Sequence, residues 1–196
     1  MKLMSGTTTV GIVARNGVVV AADKRASSGY YVAHKKVRKI VRIDDHVVMT
    51  TAGLVADAQM LALVLQYQAR NYKIVAGRPI SIKMLASYLS LILNSSKYFP
   101  YIVQLLIAGY DEAPRLFAVE WFGDYVEEEY AVTGSGSPIA VGVIESEYSK
   151  DMDIDKAVEV AVKAVRASIR RDAFTGEAVD VVVVTKEGVK EMSYPR

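Results

Sequence analysis

The sequence predicts an α+β fold in which two stacked antiparallel sheets lie between two outer layers of helices. Three observations support this prediction: strand-length apolar runs joined by tight turns, two pairs of helical segments, and strands on both sides of each helix pair. Strands joined by tight turns are antiparallel. A doubly wound nucleotide-binding fold would instead alternate single strands and single helices. The predicted order is four strands, two helices, two strands, two helices and two strands.

The first four strands are predicted to form two hairpins. Residues 10–14 and 18–22 are β-rich apolar runs, and residues 15–17 between them read Arg-Asn-Gly. An Asn-Gly turn between two such runs is the strongest short-range signal for a β-hairpin. Residues 37–43 and 46–51 have the same character, so a second hairpin is expected to follow the first.

Two helices are predicted after these strands. Leucine and alanine recur at helical spacing over residues 54–75, and Gly77 follows the last periodic residue. Residues 81–96 form a second helical run. The next two apolar runs, residues 102–108 and 116–121, have the length of strands.

The rest of the chain is predicted to add a second helix pair and a last hairpin. Residues 137–138 read Ser-Pro, and because proline is favoured in the first turn of a helix, a third helix is expected to begin there. Residues 153–171 form a long amphipathic fourth helix. Residues 179–185 and 189–193 form the last hairpin. No repeat, low-complexity tract or linker divides the chain, so one folded domain is expected.

The composition excludes several kinds of chemistry. The 196 residues include no cysteine, which rules out disulfides, thiolate metal sites and cysteine nucleophiles. The two histidines, His34 and His46, do not have a metal-ligand spacing. We therefore expect no metal and no cofactor.

Charge and hydropathy bear on partners and location. The 24 basic and 22 acidic residues leave a net charge of +2, which argues against general binding to nucleic acid. No apolar run approaches the roughly 18 residues of a membrane span, so we expect a cytoplasmic protein without a membrane partner.

The densest basic stretch, residues 34–42, contains a lysine on an apolar face. Such a run is usually a solvated strand, and binding to nucleic acid is a minority interpretation. Because side chains alternate along a strand, Lys39 would share a face with Val37 and Val41. A buried lysine needs a partner or a lowered pKa, and Asp23, at the end of an apolar strand, is the obvious partner. Lys39 could belong to a structural ion pair, the favoured interpretation, or be a catalytic lysine.

A glycine directly before a threonine suggests a different kind of nucleophile. A threonine run before a strand is usually only a good β former. If the Gly6–Thr7 bond were cut, however, Thr7 would carry a hydroxyl nucleophile next to a free α-amine. An α-amine has a pKa near 8 and can act as the base close to neutral pH. A nearby Lys39 ammonium, held by Asp23, would favour the neutral amine and the developing alkoxide.

Six segments together carry a resemblance to a known family. They are, in chain order, Thr7-Thr8-Thr9-Val10-Gly11, Ala22-Asp23-Lys24-Arg25-Ala26-Ser27, Val37-Arg38-Lys39-Ile40, Ala52-Gly53, Gly134-Ser135-Gly136-Ser137 and Arg171-Asp172-Ala173. The set resembles proteasome β subunits of the archaeal type over nearly the whole chain from Thr7. The resemblance implies the N-terminal nucleophile hydrolase fold, a four-layer αββα sandwich, which agrees with the element order above. It also implies a propeptide, residues 1–6, ahead of a single β-type domain, residues 7–196.

The resemblance implies the mechanism of a threonine endopeptidase. Thr7 would attack a peptide carbonyl and form an acyl-enzyme that water hydrolyses. Gly53 matches the position whose backbone N–H forms the oxyanion hole. Ser135 and Asp172 match residues grouped around the amine of the nucleophile. Thr175 stands where the family usually has serine, so the hydroxyl is kept but a methyl group is added.

The resemblance also implies a specificity pocket. The matching positions are small or apolar and uncharged: Ala26, Ser27, Val37, Val41, Thr51 and Val55. This composition predicts a preference for hydrophobic side chains before the scissile bond. It leaves open which of the apolar residues is preferred.

Partners are implied by the same resemblance. Proteasome β subunits form homo- or hetero-heptameric rings that stack in pairs, are capped by α-subunit rings and enclose an inner chamber. Unfolded polypeptide substrates are delivered by an ATPase regulatory particle. The slight apolar excess of the chain would be buried in ring contacts.

The sequence leaves alternatives to an active endopeptidase open. While the Gly6–Thr7 bond is intact, Thr7 has no free amine, so the chain would be a precursor, or a structural β subunit that depends on an active sister subunit. A bacterial two-tier protease with the same nucleophile fits residues 23–27 less well.

Residues 134–137, Gly-Ser-Gly-Ser, lack the remaining glycine or lysine of a phosphate loop and could be only a polar turn before a helix.

Overall fold

The computed structural model describes residues 6–195, so residues 1–5 of the predicted propeptide and Arg196 lie outside the described part of the chain. The strands, in chain order, are β1 (Thr9–Ala14), β2 (Gly17–Asp23), β3 (Ala26–Ser28), β4 (Tyr31–His34), β5 (Ile40–Asp44), β6 (Val47–Thr50), β7 (Ala52–Gly53), β8 (Val103–Tyr110), β9 (Pro114–Val119), β10 (Tyr125–Glu127), β11 (Tyr130–Thr133), β12 (Val179–Thr185) and β13 (Gly188–Tyr194). The helices are α1 (Val55–Ala76), α2 (Ile82–Ser95), α3 (Ser137–Glu147) and α4 (Ile154–Arg171).

Two antiparallel sheets form the centre of the molecule. One has five strands in the order β11-β1-β2-β12-β13, and the other has six in the order β10-β9-β8-β6-β5, with β7 pairing beside β8. The strand pairs of both sheets run antiparallel. The hairpin of β3 and β4 forms a separate two-stranded sheet.

Three apolar cores hold four layers together. One core lies between the two sheets and joins β2 and β12 to β6, β8 and β9. A second core packs α1 and α2 on the outer face of the six-stranded sheet. A third packs α3 and α4 on the outer face of the five-stranded sheet. The predicted αββα order of layers is therefore confirmed.

The central strand β2 shows why the sequence folds into layers. Every residue of β2 is buried, because the strand has a covered face on each side. Val18 and Val20 belong to the core between the sheets, whereas Val19 and Ala21 belong to the core under α4. Since successive side chains point to opposite faces, a strand buried on both faces must be an unbroken apolar run.

The helix ends follow local signals that the sequence carries. The Ser81 hydroxyl accepts the Met84 N–H ahead of α2, and the Asp153 carboxylate accepts the Lys156 N–H ahead of α4. Gly77 ends α1 with a left-handed φ of 68°. Within residues 6–195, no helix combines the length and hydropathy needed to cross a bilayer.

The predicted count of strands was wrong. The short strands β3, β4, β7, β10 and β11 were not predicted, because each has only two to four residues, too few for an apolar run of the length that predicts a strand. The predicted strand 37–43 also starts too early, since β5 begins at Ile40. The Val37 N–H donates to the Lys24 carbonyl at 3.0 Å, so this segment follows the end of β2 before it joins the sheet.

Candidate active site

Five segments that are far apart in the sequence meet at Thr7. Thr7 lies directly ahead of β1, and β1 is paired to β2 on one side and β11 on the other. Asp23 ends β2, Lys39 precedes β5, and Gly53 ends β7. The loop after β11 and the loop after α4 complete the site. Adjacent strand ends therefore place the nucleophile candidate beside its charged neighbours.

Lys39 and Asp23 form a buried ion pair. The Lys39 ammonium donates to Asp23 Oδ1 at 2.8 Å, and the exposed fractions of the two side chains are 4% and 0%. Burial holds the pKa of Lys39 below the usual lysine value of 10.5, although the Asp23 carboxylate acts in the opposite direction. A lysine with a lowered pKa can exist as a neutral amine, and so accept a proton, at a lower pH than an ordinary lysine.

Backbone amides satisfy the remaining acceptor sites of Asp23. Its Oδ1 also accepts the Thr8 N–H at 3.0 Å. Its Oδ2 accepts the N–H groups of Arg25 and Gly176, each at 3.0 Å. A buried charge is tolerated only when it is paired and hydrogen-bonded. Asp23 therefore ties together the strand of Thr7, its own strand and the loop after α4, in addition to fixing Lys39.

The Lys39 ammonium also reaches the peptide bond ahead of Thr7. It donates to the Gly6 carbonyl oxygen at 3.2 Å, and the Gly6 N–H donates to the Ser27 hydroxyl at 3.3 Å. Both contacts are buried. A cation on a carbonyl oxygen stabilises negative charge that develops there during attack on the carbonyl carbon.

A second polar network lies on the other side of Thr7. The Thr7 N–H donates to Ser135 Oγ at 3.2 Å, and Ser135 Oγ donates to Asp172 Oδ2 at 2.6 Å. The Thr175 hydroxyl donates to the same carboxylate oxygen at 2.5 Å and contacts the Thr8 hydroxyl at 2.8 Å. The predicted group around the backbone nitrogen of Thr7 is thus brought together, and the extra methyl of Thr175 is accommodated.

The glycines of residues 134–137 let the chain pass close to Thr7. Gly134 has a φ of 91°, and a Cβ at this position would lie 2.2 Å from the Thr7 carbonyl oxygen. A Cβ on Gly136 would lie 2.0 Å from the Thr8 hydroxyl. This segment is more than a polar turn before α3, because its glycines permit the approach that puts Ser135 next to Thr7.

A small apolar cavity opens beside Thr7. Its volume is about 220 Å³, and its lining includes Thr7, Lys39 and Gly53. The lining includes five of the six predicted pocket residues, namely Ala26, Val37, Val41, Thr51 and Val55. Ser27 is not among the lining residues; it contacts the Gly6 amide instead.

Other residues of the site were not predicted from the sequence. Gln59 lines the cavity from α1. Arg25 donates to the Ala173 carbonyl at 3.1 Å and to Glu177 Oε1 at 3.0 Å, so it braces the loop of Asp172 and Thr175. Arg25 follows Asp23 by two residues, and this proximity was the available signal. Gln59 carried none.

A larger groove includes Gly6 in its lining. It has a volume of about 510 Å³ and a mainly apolar lining. Its walls include Tyr30, Ile102, Trp121, Ser135 and Phe174. Gly53 lines both this groove and the smaller cavity. In the described chain, no group of three or more His, Asp or Glu side chains is arranged to hold a metal ion.

Gly53 has a backbone conformation that requires glycine. Its φ is 107°, and a Cβ there would lie 2.1 Å from the Ile102 carbonyl oxygen. Both facts exclude an L side chain at this position. Gly53 therefore brings its backbone, with no side chain in between, to the junction of the two cavities.

Comparisons with known proteins agree with this geometry. A family model described as "Proteasome subunit" matches residues 3–184. The chain is 56% identical to "Proteasome subunit beta 2" of Hyperthermus butylicus, over 99% of this chain and 92% of that protein. It is 52% identical to "Proteasome subunit beta 2" of Ignicoccus hospitalis, over 98% and 91% of the two chains. It is 49% identical to "Proteasome subunit beta 1" of Saccharolobus islandicus, over 98% and 92%.

Proposed function

The chain belongs to the proteasome subunit family, and from this premise we propose that it is a β subunit with threonine endopeptidase activity. Thr7 is the nucleophile, and cleavage of the Gly6–Thr7 bond by the chain itself exposes it. The observation that carries this proposal is the Lys39 ammonium, which contacts both the Asp23 carboxylate and the carbonyl oxygen of Gly6.

Self-cleavage begins with attack of the Thr7 hydroxyl oxygen on the Gly6 carbonyl carbon. The α-nitrogen of Thr7 is still an amide and cannot be the base, so the neutral form of Lys39 takes the hydroxyl proton. The Lys39 ammonium formed in this way stabilises the negative charge on the Gly6 oxygen; the C–N bond then breaks, the nitrogen takes the proton from Lys39, and Gly6 is left as an ester on the Thr7 oxygen. Water hydrolyses the ester, which releases residues up to Gly6 as a carboxylate and restores the hydroxyl.

The mature enzyme uses the amine that this step creates. The new α-amine of Thr7 lies where Ser135 already contacts the nitrogen, and Ser135 is held by Asp172. The amine takes the proton from the Thr7 hydroxyl as the latter attacks a substrate carbonyl. The backbone N–H of Gly53 is assigned to the oxyanion hole, because Gly53 and Thr7 line the same cavity.

Substrate preference follows from the smaller cavity. Its lining of alanine, valine and threonine side chains favours an apolar residue before the scissile bond. Unfolded polypeptides fit such a site, because they expose the apolar side chains that folded proteins bury.

Ring assembly is part of the proposal. The partners are other β subunits in homo- or hetero-heptameric rings, α-subunit rings and an ATPase regulatory particle in the cytoplasm. Exposed apolar side chains on the outer face of α1 support it: Leu63 is 64% exposed and Tyr67 is 73% exposed. Such residues are favourable when buried in a subunit contact.

The mass of the chain after assembly with α subunits tests the proposal. Loss of residues 1–6, together with hydrolysis of an unfolded substrate, is expected for the natural chain and not for Thr7→Ala. Thr7→Ser keeps a hydroxyl and should still be cleaved. A natural chain that keeps its full-length mass would favour the alternative, a structural β subunit. Peptide hydrolysis that survives in Thr7→Ala would exclude the mechanism.

A further inference from the structure

Phe174 packs directly against the α-carbon of Gly6. A Cβ added to Gly6 would lie 1.7 Å from Phe174 Cβ and 2.7 Å from Phe174 Cγ. The requirement for glycine at residue 6 therefore comes from Phe174.

Phe174 is itself held by the loop that carries the polar network. Its N–H donates to Asp172 Oδ1 at 3.2 Å, while Thr175 and Ser135 contact the other oxygen of that carboxylate. Arg25 donates to the carbonyl of the preceding residue, Ala173. Phe174 is thus fixed from two sides and cannot easily move away from a larger residue.

Three contacts therefore restrain the peptide unit before the nucleophile. Ser27 accepts the Gly6 N–H, Lys39 donates to the Gly6 carbonyl oxygen, and Phe174 covers the α-carbon. Two of the contacts are polar and fix the ends of the residue. The third is steric and fixes its lateral position.

We propose that Phe174 is a positioning residue for self-cleavage, which restricts residue 6 to glycine and holds the Gly6 carbonyl on Lys39. The inference rests on the proposed self-cleavage at Gly6–Thr7. Any side chain at residue 6 would clash with Phe174 and so displace this peptide from the position in which Lys39 contacts its carbonyl oxygen. A displacement of about 1 Å from the reactive geometry can slow a reaction about 100-fold.

The test is a double-mutant comparison on particles assembled with α subunits. The variants are Gly6→Ala, Phe174→Gly, Phe174→Ala and both double mutants, and intact mass measures the fraction cleaved over time. In the natural background, Gly6→Ala should slow cleavage about 100-fold. With Phe174→Gly, the same change should slow it about 10-fold at most, because the two closest atoms are removed and the next, the Phe174 α-carbon, lies at 2.9 Å.

The two substitutions at Phe174 make the comparison specific. Phe174→Ala removes the ring but keeps the Cβ that the new side chain would meet at 1.7 Å, so it should not rescue Gly6→Ala. Gly142→Ala is the matched control, because a Cβ at Gly142 would have no atom within 4 Å apart from its chain neighbours and the backbone of its own helix. That control should be cleaved at the natural rate.

Each outcome decides something. If Gly6→Ala is cleaved at the natural rate, or is slowed equally in all three backgrounds, the role of Phe174 is excluded while the proposed function stands. If the natural chain and Gly142→Ala both stay uncleaved, the proposed function fails and the inference fails with it. Should Phe174→Gly not assemble, the Phe174→Ala background decides: it keeps the Cβ at 1.7 Å, so Gly6→Ala should be slowed there about 100-fold, as in the natural background, and a clearly smaller loss overturns the inference.

Discussion

The two polar networks that flank Thr7 differ in how much water reaches them. On one side, Asp23 and Lys39 are almost completely buried, and every acceptor site of the carboxylate faces a donor. On the other side, the hydrogen bond between Ser135 and Asp172 is exposed. Removing one member of a buried ion pair leaves an uncompensated charge, whereas water can replace a partner at an exposed site.

This difference assigns separate tasks to the two sides. In the proposed mechanism, the buried side fixes the carbonyl of Gly6 and lowers the pKa of the lysine, both of which need exclusion of water. The open side holds the nitrogen of Thr7, which would gain and lose protons in the proposed reaction. The buried network of Asp23 and Lys39 can therefore hold Thr7 in position, whereas water can reach Thr7 from the exposed side of Ser135 and Asp172.

The largest expected effect comes from breaking the buried side. Asp23→Ala removes the partner of Lys39 and leaves the N–H groups of Thr8, Arg25 and Gly176 without their acceptor. We expect the free energy of unfolding to fall by about 3–5 kcal/mol, as measured by denaturant titration. Asp45→Ala, which removes an exposed partner of Arg42, is the control and should cost about 0–1 kcal/mol. Equal losses in the two variants would contradict the comparison.

The pH dependence of self-cleavage sharpens the comparison next. The proposed self-cleavage uses neutral Lys39 as the base, so its rate should rise with pH and level off below the usual lysine value of 10.5, because burial lowers the pKa of Lys39. Lys39→Arg keeps the charge but cannot lose its proton, and should stay uncleaved at every pH. A cleavage rate that falls as pH rises would contradict the assigned base.

The same shift also predicts a trend in stability. Between the lowered pKa of folded Lys39 and the ordinary pKa of an unfolded lysine, the unfolded chain binds more protons. The free energy of unfolding should therefore rise with pH in that window as far as Lys39 is concerned. Chemical denaturation of the natural chain and Lys39→Met, compared across the window, isolates this contribution. If the free energy of unfolding depends on pH in the same way in the natural chain and in Lys39→Met, the predicted contribution of Lys39 is excluded.

A smaller effect is expected on the open side. Ser135→Ala removes the acceptor of the Thr7 N–H. Water can partly take the place of that acceptor, because this side of Thr7 is open to solvent. The free energy of unfolding should fall by only about 0.5–1.5 kcal/mol. If the contact is equally important in the transition state, peptide hydrolysis should slow by about tenfold at most. A loss of stability as large as that of Asp23→Ala would mean that the two sides do not differ.

The smallest effect concerns the methyl group of Thr175. Thr175→Ser keeps the hydroxyl that donates to Asp172 and removes one buried methyl. The free energy of unfolding should fall by about 0.8 kcal/mol, the value of one buried CH₂ group. Thr175→Val reverses the exchange, since it keeps the bulk and loses the hydroxyl. If Thr175→Ser is the more damaging of the two, packing and not hydrogen bonding is what residue 175 contributes.

Most of the regular elements could be predicted from local patterns. The helices and the longer strands begin and end within about three residues of their predicted bounds, because their periodicity, caps and turns are local signals. The short strands could not be predicted. Strand β7, with two residues, exists only because Gly53 lies opposite Val103 in the neighbouring strand, and that pairing partner is fifty positions away.

The residues on the two sides of Thr7 were predicted from different kinds of signal. Alternation along a strand and the unusual placement of a lysine among valines pointed to Lys39 and Asp23 before any contact was known. Ser135, Asp172 and Thr175 came only from the family resemblance, since nothing in their local sequence sets them apart. Phe174 was not predicted at all, because its importance depends on a single close approach to Gly6.

By itself, the sequence determined the α+β class, the layered order of strands and helices, and a chemistry that excludes cysteine and leaves a threonine with a lysine and an aspartate. Tertiary structure decided which of these groups touch, how dry each side of Thr7 is, and that residue 6 must be glycine. The physical reason is range. Periodicity and capping act over a few residues, whereas burial, hydrogen-bond geometry and steric fit depend on segments that only the folded sheets bring together.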